Sequence, residues 1–319
     1  MYIPATNNFT LKLQQQVHQT EGFLNLEILA RQIVEGYISG MHKSPFHGFS
    51  AEFAEHKIYN QGQSTKHIDW KLYAKTDKLY TKRYEEETNL RCHLIIDNSA
   101  SMHYPSLKKQ SLLKLNKIGF SALASACIMN MLKRQRDAVG LSVYSDKFEF
   151  YAPEKAGERH HHLLLNHLEN AVNSGGSKRG TETYTYLHQI AEKLKRRSLV
   201  FLFTDMFQSD KEEAELFEAL RHLKYNKHEV ILFHVLDNKK ELGFDFENAP
   251  KRFFDVETGD EIDLYSENIQ ENYKKAIKSY FENLKLECAK YRISYVPVDI
   301  NKNFNKILQS YFVERQKLA

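Results

Sequence analysis

Leu94-Ile95-Ile96 runs into Asp97-Asn98-Ser99-Ala100-Ser101, so an apolar stretch ends in an aspartate followed by serines at two alternate positions. A second apolar stretch, Leu199 to Phe203, ends in Thr204-Asp205, and Gly180-Thr181 lies between the two. Carboxylates and neutral hydroxyls are hard oxygen donors, the kind Mg²⁺ takes in preference to softer ligands. Alternate positions on one loop let Ser99 and Ser101 face a common point while Asn98 and Ala100 face away. Asp97, Ser99, Ser101, Thr181 and Asp205 are therefore the candidate ligands of one Mg²⁺ site, with Mn²⁺ or Ca²⁺ as substitutes. Because Mg²⁺ keeps several of its waters, the serines are expected to bind directly and the aspartates mostly through water. An aspartate after a strand is often only a cap or turn residue. Asp237 and Asp299 also follow apolar runs and are read that way. The Asp-x-Ser-x-Ser spacing, together with a second strand-end aspartate and a Gly-Thr pair, sets the first group apart.

Positioning such ligands requires strands whose ends meet. From about residue 90 onward, continuous apolar runs alternate with segments of helical spacing. The runs are Leu94–Ile96, Val139–Tyr144, Leu199–Phe203, Val230–Leu236 and Ile293–Val298, with Lys147–Tyr151 as an edge strand. Helices are predicted over residues 107–135, 158–172, 183–196, 211–225, 266–291 and 304–315. Phe253–Val256 and Glu261–Leu264, joined by Thr258-Gly259-Asp260, read as a hairpin. Strands that are apolar throughout and separated by helices predict an α/β fold, with a mainly parallel sheet covered on both faces. Ligands of such sheets bind outside the carboxyl ends of the strands, where Asp97 and Asp205 stand. Residues 1–88 read as a separate, irregular N-terminal cap that packs on a domain of residues 89–319. In it only Leu26–Ile38 has helical spacing, and Trp70, the single tryptophan, is expected to be its buried anchor.

Composition narrows the function. The 319 residues carry 45 basic and 41 acidic side chains, a net charge of +4, without the concentrated basic stripe that nucleic acid demands. Cys92, Cys127 and Cys288 are far apart and odd in number, which predicts buried thiols in a reducing compartment rather than a disulfide frame. No signal-peptide pattern opens the chain, and no apolar run reaches the length of a membrane span, so a soluble cytoplasmic protein is expected. His160-His161-His162 cannot converge on one ion from a helix, where neighbours three and four apart share a face. Glu85-Glu86-Glu87 reads as a solvated face. A Gly-rich phosphate loop, a Gly-x-Ser-x-Gly elbow and a His-Glu-x-x-His helix are all missing from the sequence, so no catalytic motif is seen.

Asp97-x-Ser99-x-Ser101, Thr181 and Asp205 resemble the metal-ion-dependent adhesion site of von Willebrand factor A domains. Upstream, Gly40, Ser44, Phe46, Gly48, Phe53, Tyr59, Gly62, His67-Ile68-Asp69-Trp70 and Tyr84-Glu85-Glu86-Glu87 are similar to the bacterial "domain of unknown function 58" family. His67 and Lys57 stand where members of that family often carry arginine. The resemblance implies a three-layer, von Willebrand A-like (Rossmann-like) domain. It also implies an adaptor rather than an enzyme, whose Mg²⁺ accepts an Asp or Glu from a protein partner. A MoxR-type AAA+ ATPase is the partner it suggests. Thr181 is preferred to Thr183 as ligand because it follows Gly180. Two alternatives stay open: a metal-dependent phosphohydrolase using Asp97, and a metal-free scaffold working through the Ile68-Asp69-Trp70 region.

Overall fold

The computed structural model describes residues 26–38, 52–59, 68–85, 90–107, 110–112, 114–175, 183–206, 213–243, 250–254, 261–308 and 310. The N-terminal part contributes α1 (Leu26–Ile38), β1 (Glu52–Ile58), α2 (Trp70–Thr76) and β2 (Tyr80–Glu85). Strands and helices then alternate as β3 (Arg91–Asp97), α3 (Lys117–Arg134), β4 (Ala138–Tyr144), β5 (Phe148–Lys155), α4 (Glu158–Asn173), α5 (Thr183–Lys193), β6 (Leu199–Thr204), α6 (Glu213–Tyr225) and β7 (Glu229–Leu236). A π-helical turn (Asn238–Leu242) precedes β8 (Pro250–Phe254), β9 (Glu261–Tyr265), α7 (Ser266–Lys290) and β10 (Ser294–Asp299), and residues 304–308 are helical.

The main sheet has six strands in the order β10-β7-β6-β3-β4-β5, all parallel to their neighbours except β5. Strand periodicity divides its apolar side chains between two faces. Cys92, Leu94 and Ile96 of β3, Phe201 and Phe203 of β6, and Ile231 and Phe233 of β7 pack with α1, α3 and α4. Ile95, Val200, Leu202, Val230 and Leu232 point the other way, onto α5, α6 and α7. Helices therefore cover both faces, giving the three-layer α/β arrangement that the unbroken apolar runs predict. Full burial of each phenylalanine on this sheet stabilises the fold by about 1.5–3 kcal/mol.

Chain order places the candidate site. From β3 the chain moves outward through β4 to β5, then crosses back to β6 and moves the other way through β7 to β10. The carboxyl ends of β3 and β6 thus flank the point where the winding reverses, the crevice in which open parallel sheets bind ligands.

Several expectations need correction. The helix predicted from residue 107 begins at Lys117, because Asn116 caps it by accepting the Gly119 N–H at 2.9 Å. Ahead of it, Ser111 and Lys114 exchange backbone hydrogen bonds in a tight turn. The N-terminal stretch is less irregular than expected: β1 and β2 pair antiparallel, with a bulge between Phe53 and Glu55. Trp70 is not a buried anchor. It opens α2, none of whose residues is buried, and it is 63% exposed, with its ring edge-on to Tyr73. Asp69, as expected, accepts backbone N–H groups, from Lys71 and Leu72. The second hairpin is β8 with β9, and its turn, Thr258-Gly259-Asp260, lies outside the described residues. Much of the upstream signature, from Gly40 to Gly48 and Gly62 to His67, also lies outside them.

Candidate functional site

Asp97 is the last residue of β3, and both oxygens of its side chain are held by neighbouring groups. Its Oδ1 accepts the Ser99 backbone N–H at 2.9 Å, and its Oδ2 accepts the Thr204 hydroxyl at 2.8 Å from the end of the neighbouring strand. Ser99 Oγ and Ser101 Oγ stand 3.0 Å apart, so the alternate serines do face one point. Asn98 turns away as its position requires. Its Nδ2 donates to Glu149 of β5 and to Ser174 beyond α4, and its Oδ1 accepts from His103 Nε2 at 2.9 Å. Burial lowers the His103 imidazole to about 4, so the ring is neutral with its Nε2 proton on Asn98. The serine loop is thereby tied to two elements outside its own strand.

Asp205 is held at both of its polar ends. Its backbone carbonyl accepts His234 Nε2–H at 2.8 Å, and its Oδ2 accepts the Lys117 ammonium at 2.7 Å. Burial lowers His234 to about 4, so the ring is neutral and its Nδ1 accepts the Tyr295 hydroxyl. The next residue, Met206, has φ of 53°. That left-handed conformation costs a side-chain-bearing residue about 1–2 kcal/mol. It is clamped by the bond from Met206 N–H to the Thr204 hydroxyl and by Tyr280 OH donating to the Met206 carbonyl at 2.6 Å.

The charges are out of balance. Burial and the repulsion of Asp205 push the Asp97 carboxyl up to about 6. Burial raises Glu241 as well, against the attraction of Lys117. Lys117 itself would be lowered by burial, but Asp205 and Glu241 outweigh that and raise it. Asp205 therefore repels Asp97 and, with Glu241, pairs with the Lys117 ammonium, so among these four described groups the carboxylates outnumber the cation. Adjacent hydroxyls beside buried carboxylates fit a hard divalent cation.

Of the five predicted ligands, Asp97, Ser99, Ser101 and Asp205 come from the adjoining ends of β3 and β6, while Thr181 lies outside the described residues. Thr183, the other threonine considered, is buried in the first turn of α5. Reading the sequence missed Lys117, Glu241, Thr204 and His234. The two strand residues were obscured by their apolar neighbours. Lys117 was hidden inside a helix drawn ten residues too long, and Glu241 lies in the π-helical turn. Asp237 and Asp299 are turn residues, as expected: Asp237 caps that turn, and Asp299 accepts the Asn301 N–H.

Elsewhere, the three histidines diverge. His160 Nε2–H donates to the Val139 carbonyl, His161 is buried, and His162 lies between Glu27 and Glu158. Lys133 already places its ammonium 2.6 Å from Glu158 there, so that surface cluster is an ion-pair network. All three cysteines are buried free thiols. Among the described residues no helix is long and apolar enough to cross a membrane.

A family described as "Protein of unknown function DUF58" matches residues 55–281. "Uncharacterized protein Rv1480" of Mycobacterium tuberculosis and "Uncharacterized protein Mb1516" of Mycobacterium bovis are each 21% identical over 212 residues, 66% of this chain. The chain spans 63% of the length of those curated relatives. Among solved structures, conserved hypothetical protein BatB from Bacteroides thetaiotaomicron is 16% identical, with a TM-score of 0.44 over 72% of this chain and 100% of that one. An aerotolerance-related membrane protein from Bacteroides fragilis gives the same identity, coverage and TM-score.

Proposed function

The chain belongs to the DUF58 family, and from that membership we propose that it is a Mg²⁺-dependent protein-interaction adaptor. Its site would be a metal-ion-dependent adhesion site on a von Willebrand A-like domain, taking an Asp or Glu carboxylate from a protein partner. The observation that carries this reading is the meeting of Asp97, Ser99, Ser101 and Asp205 at one switch point, with the two carboxylates repelling one another. Ser99 and Ser101 would hold the ion directly, Asp97 and Asp205 mostly through water, and Thr181 directly or through water. The ion, when bound, supplies a hard coordination position for a carboxylate oxygen.

The chain's own residues account for the rest. Ser99 N–H and Thr204 Oγ hold the Asp97 carboxylate in one orientation, and His234 and Lys117 hold Asp205. Asn98 anchors the serine loop from behind, so Ser99 and Ser101 are presented together without the metal. Ser101 is partly exposed whereas Ser99 is buried, so a ligand would approach from the Ser101 side. By the family resemblance, a MoxR-type AAA+ ATPase is the partner we propose, in the cytoplasm.

Capture of such an ATPase by the full chain, in Mg²⁺ and in chelator, tests the reading. Asp97→Ala and Asp205→Ala are expected to abolish capture while circular dichroism stays that of the folded protein. Intact capture by both would sink it. The phosphohydrolase alternative gains nothing from the geometry: both Asp97 oxygens accept hydrogen bonds, and Ser99 stands where an acid–base carboxylate is wanted. The metal-free scaffold has one observation in its favour, the exposed Trp70 on α2. Trp70→Ala abolishing capture in chelator as well as in Mg²⁺ would support it.

A further inference from the structure

Lys117 is the first residue of α3 and is fully buried, a place that ordinarily disfavours lysine twice. Ammonium groups are almost never buried unless paired, and the positive end of a helix dipole repels them. Its Nζ lies 2.7 Å from Asp205 Oδ2 and 2.5 Å from Glu241 Oε1. Glu241 completes the bridge with its other oxygen, which accepts the Asp237 backbone N–H at 2.7 Å. The ammonium thus joins the end of β6 to the π-helical turn that follows β7.

Resting on the metal-site reading above, we infer that Lys117 is the resident counter-ion of this site and Glu241 its second acidic partner. Lys117 holds Asp205 beside Glu241 whether or not a divalent ion is present, so the two carboxylates stay placed while the ion exchanges. One ammonium between Asp205 and Glu241 offsets only part of their charge and leaves Asp97 to the divalent ion. The site is accordingly larger than its five-residue signature: Lys117 positions Asp205, and Glu241 positions Lys117.

Thermal unfolding of the full chain, in chelator and in saturating Mn²⁺, tests this with Lys117→Met, Glu241→Gln and the double variant. In chelator, Lys117→Met is expected to lower the Tm by on the order of 5–10 °C, since Asp205 and Glu241 lose the cation they share. Adding Glu241→Gln should return part of that loss, and Mn²⁺ should raise the Tm of Lys117→Met by more than it raises wild type. If Lys117→Met does not fold but the double variant does, the pairing stands. A Lys117→Met protein as stable as wild type in chelator, or one that Glu241→Gln does not rescue, overturns the inference and makes the lysine a packing residue. Failure of the metal reading looks different: Mn²⁺ shifts no protein, while the measurements in chelator still decide the role of Lys117.

Discussion

Asp97 illustrates how single residues make this site. A buried carboxylate beside a second one is costly, yet its two oxygens are satisfied by Ser99 N–H and the Thr204 hydroxyl. The remaining imbalance is electrostatic, and a bound cation would relieve it. Asn98 contributes by facing backwards. Asn98→Ala would remove its bonds to Glu149, Ser174 and His103. Metal affinity, read by calorimetry, is expected to fall about tenfold or more, because a loop held less firmly presents its hydroxyls less often. Unchanged affinity in a folded Asn98→Ala protein would show that the serine loop holds itself. The Asp-x-Ser-x-Ser spacing was legible because it puts two side chains on one side of a loop. Lys117 was not, because a lysine in the interior of a predicted helix reads as solvated until its neighbours in space are known.

Elements explain why these residues stay where they are. Asn116 stops α3 from extending backwards, and its Nδ2 donates to the His103 carbonyl, so one side chain joins the helix to the serine turn. Asn116→Ala is expected to cost about 1 kcal/mol in denaturant unfolding. A loss near zero would mean that the cap is replaced by water. At the far end of β3, Asp137 accepts the Leu90 N–H, and burial pushes its carboxyl up to about 7 from 3.8. Its folded state therefore holds the proton more tightly than the unfolded chain does. Its contribution to stability is present below about pH 4 and is lost as pH rises toward 7. Asp137→Asn should flatten that decline in unfolding experiments from pH 4 to 7. An unchanged slope would assign the decline to other groups, of which Asp97, with the same sign, is the first. Gly140 shows why β4 carries a glycine: a Cβ there would lie 2.5 Å from His93 Nδ1 and 2.8 Å from the Ala152 carbonyl. The buried His93–Glu154 contact needs that space.

The whole molecule places the site by its winding rather than by any local motif. Apolar runs such as Leu199–Phe203, and Val230–Leu236 but for His234, are nearly unbroken because both faces of their strands are covered, and that made the sheet legible in the sequence. Strand order was not legible, since periodicity is the same wherever a strand sits. Only the crossing from β5 back to β6 makes β3 and β6 neighbours and brings Asp97 and Asp205 together. The antiparallel β1–β2 pair escaped notice for a different reason. Its strands, Glu52–Ile58 and Tyr80–Glu85, are rich in charge and far apart in sequence, so neither alternation nor a tight turn marks them. Family membership covers residues 55–281, and so takes in part of this N-terminal region and every strand of the sheet except β10. A Trp70→Ala protein is expected to keep its Tm, because the side chain is mostly exposed. A large loss of stability would return Trp70 to the role of an anchor.

The measurement closest to the central claim is calorimetric titration of the full chain with Mg²⁺ and Mn²⁺, beside the Ser99→Ala/Ser101→Ala variant. Binding by the wild type that vanishes in the double variant, with both proteins folded, is the expected result. Binding that persists without the two hydroxyls, or none by the wild type even with the candidate ATPase present, would contradict the metal-dependent account.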